Sequence, residues 1–342
     1  MSVVPVSEAE RVALQALRRA GAPEEAARTQ VGLLLEAELR GVPSHGLLRL
    51  PRLIRRIHNG VANPAATGQH EWRAPGMLSV NGENGLGPVV ALAALEAVKP
   101  RARELGVAVA AISNSNHLGM LAWYAEQVAA DGLALIALTT SEALVHPWGG
   151  RRALVGTNPI AVGAPTGGRP FVMDTATGVV SMGKIHDHAN RGAPLEPGWA
   201  LDAEGRPTTN AEAAKAGAIA PFGGAKGYAL GLAFELLVAG LTGSALGDAV
   251  KGTLDDDAVC NKGDLFIVLD AGLAAGEGRL AAYLDLIRES PPAEGFDTVR
   301  IPGDRAHQVR AGRLESGLPI ADEVWLQLQA LAEGAVHEET VP

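Results

Sequence analysis

The chain has 342 residues, 47% hydrophobic, with 29 Lys and Arg against 38 Asp and Glu, a formal charge of −9 and one cysteine, Cys260. That length and apolar content suit about two domains of roughly 150 residues with a full core, which excludes intrinsic disorder. The acidic balance without a basic stripe excludes a general nucleic-acid binder, and a lone cysteine excludes a disulfide framework within the chain.

The opening segment, "MSVVPVSEAERVALQALRRAG", lacks the basic-then-apolar pattern of a signal peptide. No run of about 18 uncharged apolar residues follows anywhere, so no membrane span is expected. Together with the single cysteine this predicts a soluble, cytoplasmic protein. Ser7 and Glu10 form a Ser-x-x-Glu capping box for a helix to about Arg19. "APEEAARTQVGLLLEAELRG" predicts a second helix, with Val31, Leu34, Leu35 and Leu39 as its apolar stripe. In "GVPSHGLLRLP", residues 41–51, Pro43 and Ser44 interrupt the helix. Ser44 is placed to cap the next one, "HGLLRLPRLIRRIHNG", which Pro51 kinks or restarts. If that segment is helical, His45 and Arg49 share a face.

From about residue 76 strands and helices alternate. "GMLSVNGENGLG" reads as a strand with a glycine-rich turn, "GPVVALAALEAVKPRARELG" as a helix and "VAVAAISNSNH" as an apolar strand with a polar end. "LGMLAWYAEQVAADG" is a helix, and "LALIALTTS", "RPFVMDTATG" and "GDLFIVLDAG" are further strands. The alternation predicts an α/β core. "KGYALGLAFELLVAGLTG" predicts a helix so apolar that it must be buried, in the chain's own core or against another subunit. The tail, from "AAYLDLIRE" to "DEVWLQLQALAEG", returns to helices, broken by "TVRIPGDRAHQ".

No Gly-x-Gly-x-x-Gly, P-loop, His-Glu-x-x-His or Gly-x-Ser-x-Gly motif is present. "HDH" at 186–188 reads as solvated histidines in a polar loop, and no metal site is expected. What remains is a set of polar strand ends, where α/β sheets place ligands. They offer His117, Ser141, Thr157 with Asn158, and Asp174 with Thr175 and Thr177. Lys226 sits between glycines ahead of a helix, a position that attracts phosphates. Taken singly, each has a plainer reading: a satisfied histidine, a helix cap at Asp174, a surface lysine, a common turn at "GTNP". Their joint occurrence at one sheet edge builds a pocket.

Seven motifs recur in order: "SHGLLRLP", "SNHLGMLAWYA", "PWGGRRALVGTNPIAVGAP", "VMDTATGVVSMGKI", "GWALDAEGRPTT", "PFGGAKGYALGL" and "IPGDR". With them the chain, from about Ser7 to Leu331, resembles the second-type malate/L-lactate dehydrogenase family, which is unrelated to Rossmann dehydrogenases. "KGT" followed by "CNKGDLFIVLD" is most similar to its L-sulfolactate (L-2-hydroxycarboxylate) dehydrogenase branch. The resemblance implies a non-Rossmann, L-sulfolactate dehydrogenase-like α/β fold. A mixed-sheet cofactor domain (76–289) is joined to a helical domain built from both chain ends (1–75 with 290–342). It implies a homodimer with the site near the subunit interface, and NAD or NADP as cofactor. His45, with Ser44 beside it, matches the assigned proton donor, and His117 an acid/base of other members. Arg49 matches the carboxylate holder, with Thr157 beside it. Ser141, Asp174, Thr175, Ala176, Lys226, Gly303, Asp304 and Arg305 match cofactor contacts.

The chemistry agrees with the types. Reducing a 2-oxo acid needs a hydride from the nicotinamide, a proton for the carbonyl oxygen and a cation for the carboxylate. Histidine exchanges protons near neutrality, and the arginine fork pairs with a carboxylate in two parallel bonds. The expected function is hydride transfer between NAD(P)H and a small 2-oxo acid, of sulfolactate or malate type. The alternatives are a cyclic imine reductase acting on Δ1-piperideine-2-carboxylate or Δ1-pyrroline-2-carboxylate, a ureidoglycolate-type dehydrogenase, and a non-catalytic binding protein that keeps the fold. Imine-reducing members carry an Asp where this chain has Lys184, which favours oxoacid chemistry. Were Lys184 to face the pocket, it would favour substrates with a second anionic group.

Overall fold

The apolar strands read from the sequence assemble into one seven-stranded mixed sheet. In this computed structural model, which describes residues 1–270, 272 and 278–334, the strand order is Gln69–Ala74, Met77–Gly85, Val107–Ser115, Gly263–Asp270, Leu133–Thr139, Ile160–Ala164 and Phe171–Thr175. Only Met77–Gly85 and Val107–Ser115 run parallel, because the helix Gly87–Leu105 carries the chain back between them; every other pair is antiparallel. The strand Gly263–Asp270, written "GDLFIVLD", lies at the centre and is covered on both faces, hence its unbroken apolar run. Phe266 and Val268 face the main core with Ile112, Tyr124 and the N-terminal helices. Leu265 and Ile267 face the other way, toward Val238 and Phe234 of the helix Ala225–Thr242. Successive side chains on a strand point to opposite faces, and the two cores follow from that alternation.

The chain ends are stitched together. Ser2–Val4 pairs antiparallel with Leu318–Ile320. Asp322, opening the helix Asp322–Glu333, takes the Met1 amino group at 2.8 Å and the Ser2 hydroxyl at 2.6 Å. The helices Val6–Arg19, Glu24–Leu39 and Asp322–Glu333 share the main core with one face of the sheet. A second sheet, of strands two or three residues long, orders Pro207–Thr208, Ala200–Leu201, Ala218–Ile219, Ala143–Val145 and Val155–Gly156 around a separate core with Ile185 and Ile219. Strands this short carry no readable period, which is why this lobe is not visible in the hydrophobic pattern.

Several expectations change. The first helix is not entered through a Ser7–Glu10 capping box: it starts at Val6, directly after Pro5, and no side chain caps it. The segment "DRAHQ" is not a break but the start of the helix Asp304–Ser316. The helix Ala225–Thr242 is not buried within the chain: Gly231, Glu235 and Val238 face inward, while Leu230, Leu236, Leu237 and Leu241 are exposed, Leu236 by 56%. It is long and apolar enough to cross a membrane by length and composition. Its inward carboxylate, Glu235, instead ties it into the fold by accepting the Gly156 and Gly247 N–H groups and the Asn158 amide.

Candidate active site

The segment after Leu39 does not form the helix expected from residue 45. Pro43–His45 and Leu47–Arg49 are two single 3₁₀ turns, joined by Gly46 in an extended conformation, and the α-helix begins only at Leu50 with Pro51 in its first turn. The reason lies in the preceding helix. Glu38, buried, accepts the Leu47 N–H at 2.9 Å, and a Cβ on Gly46 would stand 2.2 Å from its Oε1. The glycine of "SHG" is therefore a packing requirement: the backbone must cross a carboxylate. Burial, only partly offset by the Leu47 bond and the charge of Arg313, pushes Glu38 up to about 7.

His45 and Arg49 thus do not share a helix face, but the double turn folds them together. Arg49 Nε donates to the Ser44 carbonyl at 2.8 Å and Nη1 to the Thr253 carbonyl at 3.3 Å. Ser44 caps no helix; its hydroxyl lies 3.0 Å from His45 Nδ1 and orients the ring. From the sheet side comes His117, just beyond Val107–Ser115, its ring centroid 5.4 Å from that of His45. His117 Nδ1 accepts the Gly119 N–H at 2.9 Å, so in the neutral ring the proton sits on Nε2. Burial, then the Arg49 charge, lowers His45 to about 4. His117 is held well below the ordinary histidine range by burial first, then by Arg49, His45, Lys262 and Arg52. Both rings are neutral at pH 7, beside a cation.

Arg49 and His117 border a cavity lined also by Leu33, Leu34, Arg52, Leu53, Arg56, Asn116 and Thr253, among others. Glu142 holds the Thr253 wall by accepting the Thr253 N–H (2.9 Å) and hydroxyl (3.0 Å) and the Leu254 N–H (2.8 Å). Within reach of the His117 ring electrostatically, buried Lys262 and Asp264 form an ion pair, Nζ to Oδ1 2.5 Å, which Thr139 joins. Arg52, Arg56, Asn116, Glu38, Glu142 and Lys262 all escaped the sequence reading. The arginines carried a signal, since 49, 52 and 56 are spaced by three and four; the others become visible only once the loops fold onto one another.

The residues matched to the cofactor lie on several elements. Ser141 and Thr157 meet, hydroxyl to hydroxyl at 3.1 Å. Asn158, fully buried and pinned to Glu235 at 2.7 Å, shapes the "GTNP" turn. Asp174, next to last in the strand Phe171–Thr175, accepts the Ala122 N–H at 2.8 Å, so it does cap a helix, Ala122–Ala130, the one that follows His117. Its side chain reaches solvent, yet the protein mass packed around it pushes Asp174 up to about 6 despite that bond. Thr175 and Lys226 are exposed, and Ala176 is half-buried. Gly303, at φ +93°, turns the chain into Asp304–Ser316. Asp304 is already held by Arg169 at 2.6 Å and Arg288 at 3.0 Å, leaving Arg305 exposed beside it. Lys184 does not line the cavity; it is exposed, with Nζ 4.6 Å above the Trp199 ring. At 186–188, Asp187 pairs with Arg191, and His188 meets the Pro194 carbonyl at 2.8 Å.

A sheet edge, two histidines and an arginine-lined cavity define a class of site built to hold a small anion against a proton carrier. A profile of the malate/L-lactate dehydrogenase family matches residues 4–329, and the chain belongs to that family. It is 36% identical over 336 residues to the (2R)-3-sulfolactate dehydrogenase (NADP(+)) of Chromohalobacter salexigens, covering 98% of this chain and 99% of that one. It is 34% identical over 333 residues to a Δ1-pyrroline-2-carboxylate/Δ1-piperideine-2-carboxylate reductase of Pseudomonas putida, covering 96% of each. Among solved structures, a dehydrogenase from Sinorhizobium meliloti superposes with a TM-score of 0.93 at 52% identity, covering 97% of this chain and 98% of that one. The sulfolactate dehydrogenase of Methanocaldococcus jannaschii superposes with 0.92 at 32% identity, covering 98% and 97%. The non-Rossmann, sulfolactate dehydrogenase-like fold is thereby shown.

Proposed function

We propose that the chain is an NAD(P)-dependent 2-hydroxyacid dehydrogenase that interconverts a small 2-oxo acid and its L-2-hydroxy acid, of sulfolactate or malate type. The observation that carries this is the meeting of His45 and His117, 5.4 Å apart, where His117 and Arg49 line one cavity. The protein's own groups fit a phosphate-bearing cofactor. Gly223 and Gly224, both at positive φ, turn the chain outward ahead of an 18-residue helix whose first turn carries exposed Lys226. Free amides, helix dipole and ammonium together suit a pyrophosphate. Lys226 would hold phosphate, with Ser141, Asp174, Thr175, Ala176 and the 303–305 turn as further contacts; Asp304, spent on two arginines, would set that turn. When bound, the nicotinamide supplies or accepts the hydride.

The chain's side chains do the rest. Arg49 pairs with the C1 carboxylate through the edge that Ser44 and Thr253 leave free. His117, with Nδ1 occupied, offers Nε2–H to the carbonyl oxygen and polarises it. His45, whose proton affinity is depressed less, carries the proton to and from that oxygen. A bound carboxylate would offset the Arg49 charge, which after burial is the second cause of the depression in both rings.

The Pseudomonas relative supports a second reading, a cyclic imine reductase; against it, the cavity lining among the described residues holds no carboxylate to face an iminium cation, and Lys184 is turned away. A panel of oxaloacetate, sulfopyruvate, pyruvate and Δ1-piperideine-2-carboxylate, followed by loss of reduced-nicotinamide absorbance with NADH and NADPH in parallel, tests both. Oxoacids should lead, and a kcat/KM ranking with the cyclic imine first would overturn the reading. We further propose a homodimer, supported by the open apolar side of Ala225–Thr242, which water leaves unsatisfied and a second copy would cover.

A further inference from the structure

We infer that Arg52, backed by Arg56, clamps a second anionic group, and that the cavity selects 2-oxo acids carrying a carboxylate or sulfonate on C3 over monoanionic ones. This rests on the oxoacid reading above. Arg49 has helical φ and ψ of −79° and −23° and leads into Leu50–His58, so Arg49, Arg52 and Arg56 fall at i, i+3 and i+7 on one face. All three line the cavity, with His117 opposite.

The nearby acids are accounted for one by one. Asp255 pairs with Arg56 at 3.3 Å, and Asp256 with Arg55 at 2.6 Å. Glu142 is bonded to Thr253 and Leu254. Arg52, half-buried, makes no hydrogen bond or ion pair among the described residues. Arg56 is 96% buried, gives Nε to Asn116 at 3.0 Å and Nη1 to Asp255, and leaves Nη2 with no acceptor among the described residues. The wall therefore carries two guanidinium groups, on Arg49 and Arg52, that pair directly with no carboxylate among the described residues, and a third only partly paired; Glu142 and Asp256 act on the first two only through space. Leu33, Leu34 and Leu53 complete it with apolar surface. One bound carboxylate would leave Arg52 desolvated and unpaired, whereas a second anion would satisfy it. Neighbouring positions on a helix face are about 5–6 Å apart at Cβ, which suits the two ends of a four-carbon diacid or its sulfonate counterpart. Lys184, pointed at Trp199, takes no part.

The test compares wild type with Arg52→Gln and Arg52→Lys on oxaloacetate, sulfopyruvate and pyruvate. The ratio of kcat/KM for either dianion over pyruvate should fall by about tenfold or more in Arg52→Gln, and partly recover in Arg52→Lys. A ratio unchanged, or a loss equal on all three, would overturn the clamp. A second readout needs no turnover: malonate should raise the wild-type Tm more than acetate does, and that difference should vanish in Arg52→Gln. If the wild type reduces no oxoacid, the oxoacid reading fails, yet loss of the malonate effect in Arg52→Gln still supports the clamp. Malonate no better than acetate on wild type rejects it.

Discussion

At the scale of the residue, the site turns on two histidines kept neutral. His45→Ala should lower kcat by about 10²- to 10⁴-fold, the usual worth of a positioned proton carrier, while cofactor affinity measured by fluorescence titration barely moves. Near-wild-type turnover would hand the role to His117. The pH dependence follows from the direction of the shift. His45 sits at about 4 in the free protein, so its base form, needed to oxidise a hydroxy acid, is already present at neutrality. The kcat/KM for oxidation should be flat between about pH 6 and 8 and fall only below about 5, whereas reduction should quicken as pH drops. An inflection near 6.5, the unperturbed histidine value, would show that burial and Arg49 do not govern the ring.

At the scale of the element, the double turn depends on the helix before it. Glu38 at the end of Glu24–Leu39 occupies the space a side chain at 46 would need. Its pKa is raised in the fold, from 4.5 to about 7. A raised acid favours folding while it is protonated in both states: the benefit is whole below pH 4.5 and is lost as pH rises through 7. Glu38→Gln should therefore gain stability relative to wild type by up to about 3 kcal/mol between pH 4.5 and 8, read by urea unfolding across pH. A difference independent of pH would mean the buried carboxylate titrates normally. The second element is the start of Ala225–Thr242. Lys226→Ala should raise the KM for cofactor more than that for oxoacid; a rise in the oxoacid KM alone would remove the lysine from the phosphate side.

At the scale of the molecule, the apolar side of Ala225–Thr242 is open over Leu230, Leu236, Leu237 and Leu241. In sedimentation, Leu236→Glu should convert a dimer to monomers, because a charge in a dry interface is desolvated without a partner. A monomeric wild type would refute the homodimer. The N-terminal strand and helices share one core with the last helix and the sheet, so the turn holding His45 and Arg49 is braced from both chain ends.

Much of this was written in the chain. The strands "VAVAAISNS", "LALIALT" and "GDLFIVLD" announce themselves by unbroken apolar runs, and helices such as Gly87–Leu105 by length and bounding glycines, because burial of these elements is a local pattern. The ordered motifs also disclosed the family, and with it His45, His117 and Arg49 as residues to watch. What tertiary structure alone decided is how these meet. The 3₁₀ turns at 43–49 exist because a carboxylate from another element lies under Gly46; nothing local to "SHG" specifies that. The exposed side of an apolar helix and the turning of Lys184 toward Trp199 depend on which surface each element is given. So does the charge left over on Arg52, which is a sum over Asp255, Asp256 and Glu142, residues 90 to 204 positions away. Periodicity records whether a side chain is buried; only packing determines what it is buried against, and the chemistry of this cavity resides in that second fact.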